Sequence, residues 1–250
     1  MQRASLIRPC AGARFVRAAV AGVDWLNPFV ESEGGTVLHV DLRADTARES
    51  RALEILSDSE RQRGSRYLPD PRRRFVLCRA ALRSLLCAYL DCSNDALTFP
   101  VTEFDKPVAQ TGVNQTFTGF NVSHSGDHGL IAISPTRRIG VDIEEVAPRR
   151  HLASLIESVM GRQERDELGQ LDEAPRLRQF FRLWTFKEAL IKALGTGFST
   201  DISGFQVPVN VRAGESTGYF RFPHLPSVTW RLEDLSTLDF VAALAYETNQ

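Results

Sequence analysis

The segment 180–197 constrains the fold most, because its apolar residues recur with a period close to 3.6. This periodicity predicts an amphipathic helix with one face packed against a core. Two glycines follow as a stop signal. Lys187, Glu188 and Lys192 lie within the predicted helix, and Glu188 shares a face with Lys192 because four residues separate them. The same spacing is also typical of an ordinary surface ion pair.

Lysine is scarce in this chain, since only three of its 30 basic residues are lysine: Lys106, Lys187 and Lys192. A lysine is a compact charge that meets one phosphate oxygen, whereas arginine forks across two. Two lysines in one helix of an arginine-rich chain are therefore candidates for a functional site.

The composition is that of a globular protein, with 43% hydrophobic and 24% charged residues in a chain of 250. That length allows one large domain or two small ones. The net charge of -1 gives no overall field that would attract nucleic acid. No run of about 18 apolar residues is present, so no membrane partner is expected. The four cysteines contain no CxxC pair, which favours a reducing, cytoplasmic compartment.

The chain is expected to divide into two halves after an N-terminal extension. Residues 1–35 show no convincing organisation and are expected to be poorly ordered. Residues 134–136 are the candidate boundary, which gives an N-terminal half at 36–135 and a C-terminal half, carrying the metal site, at 136–250. Strands are predicted at 36–42, 97–99, 120–123, 129–133, 138–146, 204–211, 218–222, 228–232 and 240–246.

The helices predicted outside 180–197 carry many arginines. Ser57 and Glu60 fit a capping box that opens one helix, and residues 75–90 form an amphipathic helix. Eight arginines and two acids lie between positions 60 and 83, which favours either a solvated helix face or an anion site. Residues 152–171 are predicted to be helical, with Glu164 exposed.

Two carboxylates are predicted to share one strand face. Residues 138–146 alternate as in a strand, and side chains two positions apart, such as Asp142 and Glu144, point the same way. Neighbouring carboxylates repel unless water solvates them or a cation binds between them. Clustered oxygen ligands without histidine or cysteine suit magnesium rather than zinc. The alternative is that the two carboxylates simply lie on an exposed strand face. Separately, a lone histidine such as His124 is more often structural than catalytic.

These features occur together in a known family. The motifs that carry the resemblance are GVDIE at 140–144, WTFKEA at 184–189, Lys192 with 195–198, FNVSHS at 120–125, and Lys106 with Pro107. Over about residues 36–247 the sequence resembles the 4'-phosphopantetheinyl transferases, specifically the Sfp type. The resemblance implies an α+β fold with two pseudo-twofold-related α/β halves in one chain, and coenzyme A in the cleft between them.

The resemblance also implies a reaction, the magnesium-dependent transfer of the 4'-phosphopantetheine arm of coenzyme A to a serine of an acyl or peptidyl carrier protein, with release of 3',5'-ADP. A monomer is expected, because two halves in one chain can complete a site. A non-catalytic module that binds coenzyme A or a carrier protein is the alternative. A nucleoside-triphosphate-dependent phosphotransferase is disfavoured, since no Walker A or kinase glycine-rich loop is present.

The family's functional positions fall on named residues of this chain. Asp142, Glu144 and Glu188 correspond to magnesium ligands, and Glu188 with Lys192 to the catalytic groups. Glu164 corresponds to an acidic position near the site. The expected contacts to coenzyme A are Arg61, Arg66, Arg74, Lys106, Ser123, His124 and Lys192. The sequence departs from the family at Asp105, where glycine is frequent, and at Phe75, where a small hydroxyl residue can occur.

Overall fold

The computed structural model describes residues 13–100, 108–111, 115–117, 119–195 and 201–248. Its helices are α1 (Ala13–Ala21), α2 (Thr46–Ile55), α3 (Asp58–Gly64), α4 (Pro69–Leu90), α5 (Leu152–Val159), α6 (Arg162–Gly169), α7 (Glu173–Leu194) and α8 (Val209–Arg212). Its strands are β1 (Leu26–Ser32), β2 (Gly35–Asp41), β3 (Ala109–Thr111), β4 (Gln115–Phe117), β5 (Phe120–Ser125), β6 (His128–Ile133), β7 (Ile139–Glu145), β8 (Thr217–Phe220), β9 (Trp230–Asp234) and β10 (Phe240–Glu247).

The described strands form two main antiparallel sheets. The first sheet has the order β1-β2-β6-β5, and the second has the order β7-β10-β9-β8. Each sheet packs against one long helix, α4 in the first half and α7 in the second, and both helices are 22 residues long. This arrangement confirms the predicted α+β class with two halves.

Besides the apolar residues between each sheet and its helix, a third cluster of apolar side chains lies between the two sheets. It includes Val37 and Leu130 from the first sheet, and Val141, Ile143 and Leu244 from the second. All five are buried, and each contributes roughly 1.5–3 kcal/mol by leaving water. One face of β7 therefore packs on the first half, which leaves its opposite face for α7.

Local sequence signals account for the ends of several helices. Ser57 and Glu60 form the predicted capping box at the start of α3. The long helix α7 ends at Gly195, whose φ of 82° is the left-handed conformation that glycine adopts without strain. The predicted stop signal is thereby confirmed at this residue.

The structure corrects several expectations. Residues 13–35, assigned to a poorly ordered extension, include α1 and β1, and Trp25 and Leu26 are fully buried there. The strand predicted at 36–42 is thus the second of its sheet. The helix predicted at 152–171 is interrupted between α5 and α6. The segment 204–211, predicted to be a strand, instead leads into α8. The strand predicted at 97–99 is reduced to an isolated bridge at Thr98. Among the described helices, none has the length and apolarity needed to cross a membrane.

Candidate active site

Three elements from both halves meet around one cavity of about 330 Å³. Strand β5 belongs to the first half, whereas β7 and α7 belong to the second. The polar lining residues are Ser123 and His124 from β5, Asp142 and Glu144 from β7, and Glu188 and Lys192 from α7. The structure therefore brings together six of the site residues that the sequence predicted.

The face of β7 that carries the carboxylates is the face that packs on α7. Gly140 lies on this face, two residues before Asp142, and a Cβ atom added to it would overlap the backbone of Ala189 and Ala193 on the helix. The absence of a side chain at Gly140 therefore permits the close approach of α7. This approach brings Glu188 and Lys192, which are one helical turn apart, next to Asp142.

Side chains of β5 join the first sheet to the edge of β7. Asn121 Oδ1 accepts a hydrogen bond from the Val141 amide at 2.9 Å. Ser123 Oγ donates to Asp142 Oδ1 at 2.7 Å, and Ser125 Oγ donates to Glu144 at 2.8 Å. The three residues of β5 alternate along the strand, so all three face β7. Two of these bonds hold carboxylates that line the cavity.

Asp142 is the most enclosed carboxylate of the site, with 6% of its side chain exposed. Its Oδ1 accepts from Lys192 Nζ at 2.6 Å as well as from Ser123. Its Oδ2 is buried and has no hydrogen-bond partner. Leaving a buried acceptor unsatisfied costs about 1–3 kcal/mol, and more when the group is charged. An oxygen in this state is well suited to binding a cation.

Glu144 and Glu188 both lie close to this charge. Burial raises the pKa of Glu144, Asp142 raises it further, and the hydrogen bond from Ser125 acts in the opposite direction. Burial also raises the pKa of Glu188, again reinforced by Asp142 and opposed by Lys192. In both glutamates burial is the main cause, because it penalises the charged form, and the nearby Asp142 carboxylate adds to the effect.

The chemistry of this donor set fits magnesium, because carboxylate oxygens are the ligands that hard divalent cations prefer. Among the residues that the structure describes, no three acidic, histidine or cysteine side chains form a preformed metal cage. Lys192 Nζ lies 2.6 Å from Asp142 Oδ1 and so occupies that oxygen. The unpartnered Oδ2 of Asp142 leaves one ligand oxygen free.

His124 lines the cavity, and Arg74 lies close enough to His124 to influence its pKa without lining the cavity itself. His124 reaches solvent at the cavity, yet enough protein surrounds its ring that partial desolvation lowers its pKa, and the charge of Arg74 acts in the same direction. Arg74 Nε donates to the Gly126 carbonyl at 2.8 Å, in the turn after β5. This arrangement brings two candidate anion contacts close to Ser123.

The other predicted contacts to coenzyme A lie elsewhere. Arg61 lines a second cavity of about 700 Å³, and its guanidinium donates to the carbonyls of Leu53 and Leu56. Arg66 is exposed at the surface. Lys106 lies outside the described residues. Part of the arginine-rich run is structural, because Arg73, Arg79 and Arg83 all pair with carboxylates.

Lys187 has a structural role, which corrects its status as a candidate site residue. It is fully buried, with Nζ 2.7 Å from Glu164 Oε2, and it donates to the Val159 carbonyl at 2.9 Å. Glu164 is also fully buried, so its predicted exposure is wrong, and it is not among the residues that line the 330 Å³ cavity. The pair holds α6 against α7.

Sequence reasoning missed three residues that shape the site. Asn121 and Ser125 were present in the motif that carries the resemblance, and their alternation with Ser123 was the available signal. Trp184 lines the cavity one helical turn before Glu188, a spacing that places both on one face of α7.

Comparison with known proteins agrees with this geometry. Residues 138–245 match the 4'-phosphopantetheinyl transferase superfamily, and residues 44–136 match the N-terminal region of 4'-phosphopantetheinyl transferase. The two matches together cover both halves of the fold and all of the cavity's lining residues.

Individual relatives carry the same description. A putative 4'-phosphopantetheinyl transferase of Synechocystis is 39% identical over 146 residues, which is 58% of this chain and 59% of the relative. The 4'-phosphopantetheinyl transferase HetI of Nostoc is 37% identical over 145 residues, 58% of this chain and 61% of the relative. The Bacillus subtilis transferase ffp is 26% identical over 68% of this chain and 74% of its own length. The alignments thus span about three-fifths of the first two relatives.

Proposed function

Because the chain belongs to the 4'-phosphopantetheinyl transferase superfamily, we propose that it transfers the 4'-phosphopantetheine arm of coenzyme A to a serine of an acyl or peptidyl carrier protein. The second product is 3',5'-ADP. The observation that carries the proposal is the cavity in which Asp142, Glu144, Glu188 and Lys192 face one another. Carboxylates that hold a metal ion and a lysine that meets the phosphates recur in enzymes that catalyse transfer at phosphorus.

Asp142, Glu144 and Glu188 would hold magnesium. When bound, the ion would supply positive charge against the phosphate oxygens of coenzyme A. The free Oδ2 of Asp142 supports this assignment, and so does the position of all three carboxylates on the lining of one cavity.

Glu188 and Lys192 act on the reacting groups. Glu188 accepts the proton of the carrier serine, directly or through a water, and its raised pKa makes it a better base than an ordinary glutamate. The serine oxygen forms a bond to the phosphorus next to pantetheine, and the bond from that phosphorus to the 3',5'-ADP oxygen breaks. Lys192 is 27% exposed, so its ammonium can reach a phosphate oxygen and stabilise the gathering charge.

Some of the remaining contacts to coenzyme A are assigned by how close each residue lies to the cavity. Ser123, His124 and Arg74 are proposed to bind its phosphates near the cavity. Arg61, Arg66 and Lys106 are proposed to bind the 3'-phosphate and the adenosine. Arg61 would have to exchange the backbone carbonyls that it now contacts for phosphate oxygens.

The test is to incubate the chain with coenzyme A, magnesium and several apo carrier proteins. We expect each accepted carrier to gain the mass of one phosphopantetheine arm, and EDTA to suppress the gain because it removes magnesium. Release of 3',5'-ADP in equal amount would establish the stoichiometry.

The same assay separates the alternatives. A chain that binds coenzyme A but never modifies a carrier would be a binding module. Modification that depends on a nucleoside triphosphate would point to a different phosphotransferase. A cytoplasmic location and a monomeric state stay predictions from the sequence, testable by fractionation and by sedimentation.

A further inference from the structure

We propose that Ser125 is a positioning residue, which holds the Glu144 carboxylate toward the cavity so that it can serve as a metal ligand. The inference rests on the proposed function, because it takes the carboxylates as magnesium ligands. It adds a role for a residue that lines no part of the 330 Å³ cavity and touches no reacting group.

The hydroxyl of Ser125 has two defined partners. It donates to Glu144 Oε2 at 2.8 Å and accepts from the Glu145 amide at 3.1 Å. Because the amide occupies a lone pair of the hydroxyl oxygen, the proton is directed at Glu144. Ser125 thereby fixes one oxygen of Glu144 and leaves the other available to a ligand.

Ser125 is itself held in place from both sides of its turn. Asp127 donates its amide to Glu145 Oε1 at 2.8 Å, and Gly126 lies so close to this carboxylate that an added Cβ would overlap it. On the other side, Arg74 donates to the Gly126 carbonyl. The turn between β5 and β6 is thus held between the end of β7 and helix α4, which fixes the backbone that carries the Ser125 hydroxyl.

Arg149 competes with Ser125 as a partner for the Glu144 carboxylate. Its guanidinium lies 3.6 Å from the same oxygen, Oε2, and it is not among the residues that line the cavity. Without the hydroxyl of Ser125, Glu144 can turn toward Arg149 and form a closer ion pair. That movement would withdraw a ligand oxygen from the metal.

The experiment compares the affinity for Mn²⁺ of the full chain and its variants. Free Mn²⁺ is followed by electron paramagnetic resonance, with coenzyme A present throughout and its own Mn²⁺ binding subtracted. We expect Ser125→Ala to weaken Mn²⁺ binding about tenfold, as is usual when a ligand loses its hydrogen-bond partner. Ser125→Thr retains the hydroxyl and should restore the affinity. Ser158→Ala removes an exposed hydroxyl bonded only to the Leu155 carbonyl and is the matched control.

Further measurements separate positioning from a general loss of structure. In Ser125→Ala, carrier modification should recover as magnesium is raised, whereas a structural defect would persist at all concentrations. The loss caused by Ser125→Ala should also be smaller when Arg149 is already alanine, because the competing partner is gone. Equal Mn²⁺ affinities in the wild type and Ser125→Ala, or no Mn²⁺ binding by the wild type, would overturn the inference. Failure to modify any carrier, with the Ser125 effect intact, would overturn only the proposed function.

Discussion

Gly140 of β7 and Ala189 of α7 are in such close contact that a Cβ atom at position 140 would overlap the Ala189 carbonyl oxygen. The contact sets the separation between the strand that carries Asp142 and Glu144 and the helix that carries Glu188 and Lys192. The geometry of the cavity therefore depends on a residue that has no side chain.

Replacing Gly140 by alanine should push α7 away from β7. Overpacking of this kind costs about 1–3 kcal/mol in the free energy of unfolding, which urea denaturation would measure. The rate of carrier modification should fall more than the loss of folded protein would explain. A displacement of about 1 Å of the groups on α7 can cost a hundredfold in rate. Gly169→Ala is the control, since nothing lies within 4 Å of its added Cβ. Unchanged activity in Gly140→Ala would show that the close approach has no functional role.

Glu188→Gln should nearly abolish carrier modification. The amide can neither accept the serine proton nor bring a negative charge to the metal, and loss of one preorganised electrostatic partner costs about 10²–10³ in rate. Circular dichroism should show an unchanged fold. Glu157→Gln, on the exposed side of α5, should keep full activity. Near-normal turnover by Glu188→Gln would refute the assignment of Glu188.

The two lysines of α7 should respond differently to substitution by methionine. Lys187→Met leaves Glu164 buried without its counter-ion, and breaking a buried pair costs about 3–5 kcal/mol. Lys192→Met should cost less stability, because solvent partly screens its ion pair with Asp142, yet it should remove most of the activity. Thermal denaturation and the mass-gain assay, run on both variants, give the comparison. Equal effects of the two substitutions on stability would contradict this division of roles.

The acidic cavity should make the metal-free protein less stable as pH rises. The pKa of Glu188 in the folded chain is raised above its ordinary value of 4.5, so between these values the folded state binds more protons than the unfolded one. The contribution of Glu188 to the free energy of unfolding then falls as pH rises through this window. Glu188→Gln lacks this titration and should gain stability relative to the wild type over the same range.

Urea unfolding in EDTA, repeated from about pH 4 to about pH 8, would measure this difference. Parallel pH profiles for the wild type and Glu188→Gln would show that folding does not raise the pKa of Glu188. Adding magnesium should reduce the difference, because the bound cation offsets the carboxylate charges.

The sequence predicted the site best where its periodicity was unambiguous. The alternation along β7 placed Asp142 and Glu144 on one face, and the spacing along α7 placed Glu188 and Lys192 together; the cavity contains all four. The opposite face of β7 carries Val141 and Ile143, and it packs between the two sheets. Regular elements with one apolar face leave little freedom in where their polar residues point.

The failures have physical causes that lie beyond local patterns. Lys187 resembled a functional lysine, but its partner Glu164 comes from another helix, which no local spacing reveals. Residues 13–35 were assigned to an extension, yet β1 gains its order by pairing with β2, which no local pattern reveals. Ser125 acts through Glu144, and the sequence alone does not show that their strands lie side by side.

The position of β10 has a consequence for protein synthesis. This strand lies between β7 and β9, and it pairs with β7 from Ile139 to Glu145, the segment that carries Asp142 and Glu144. A ribosome must therefore translate beyond residue 247 before the cavity can assemble. Prematurely terminated polypeptides that lack this strand would leave β7 without its partner strand, and the cavity would not form.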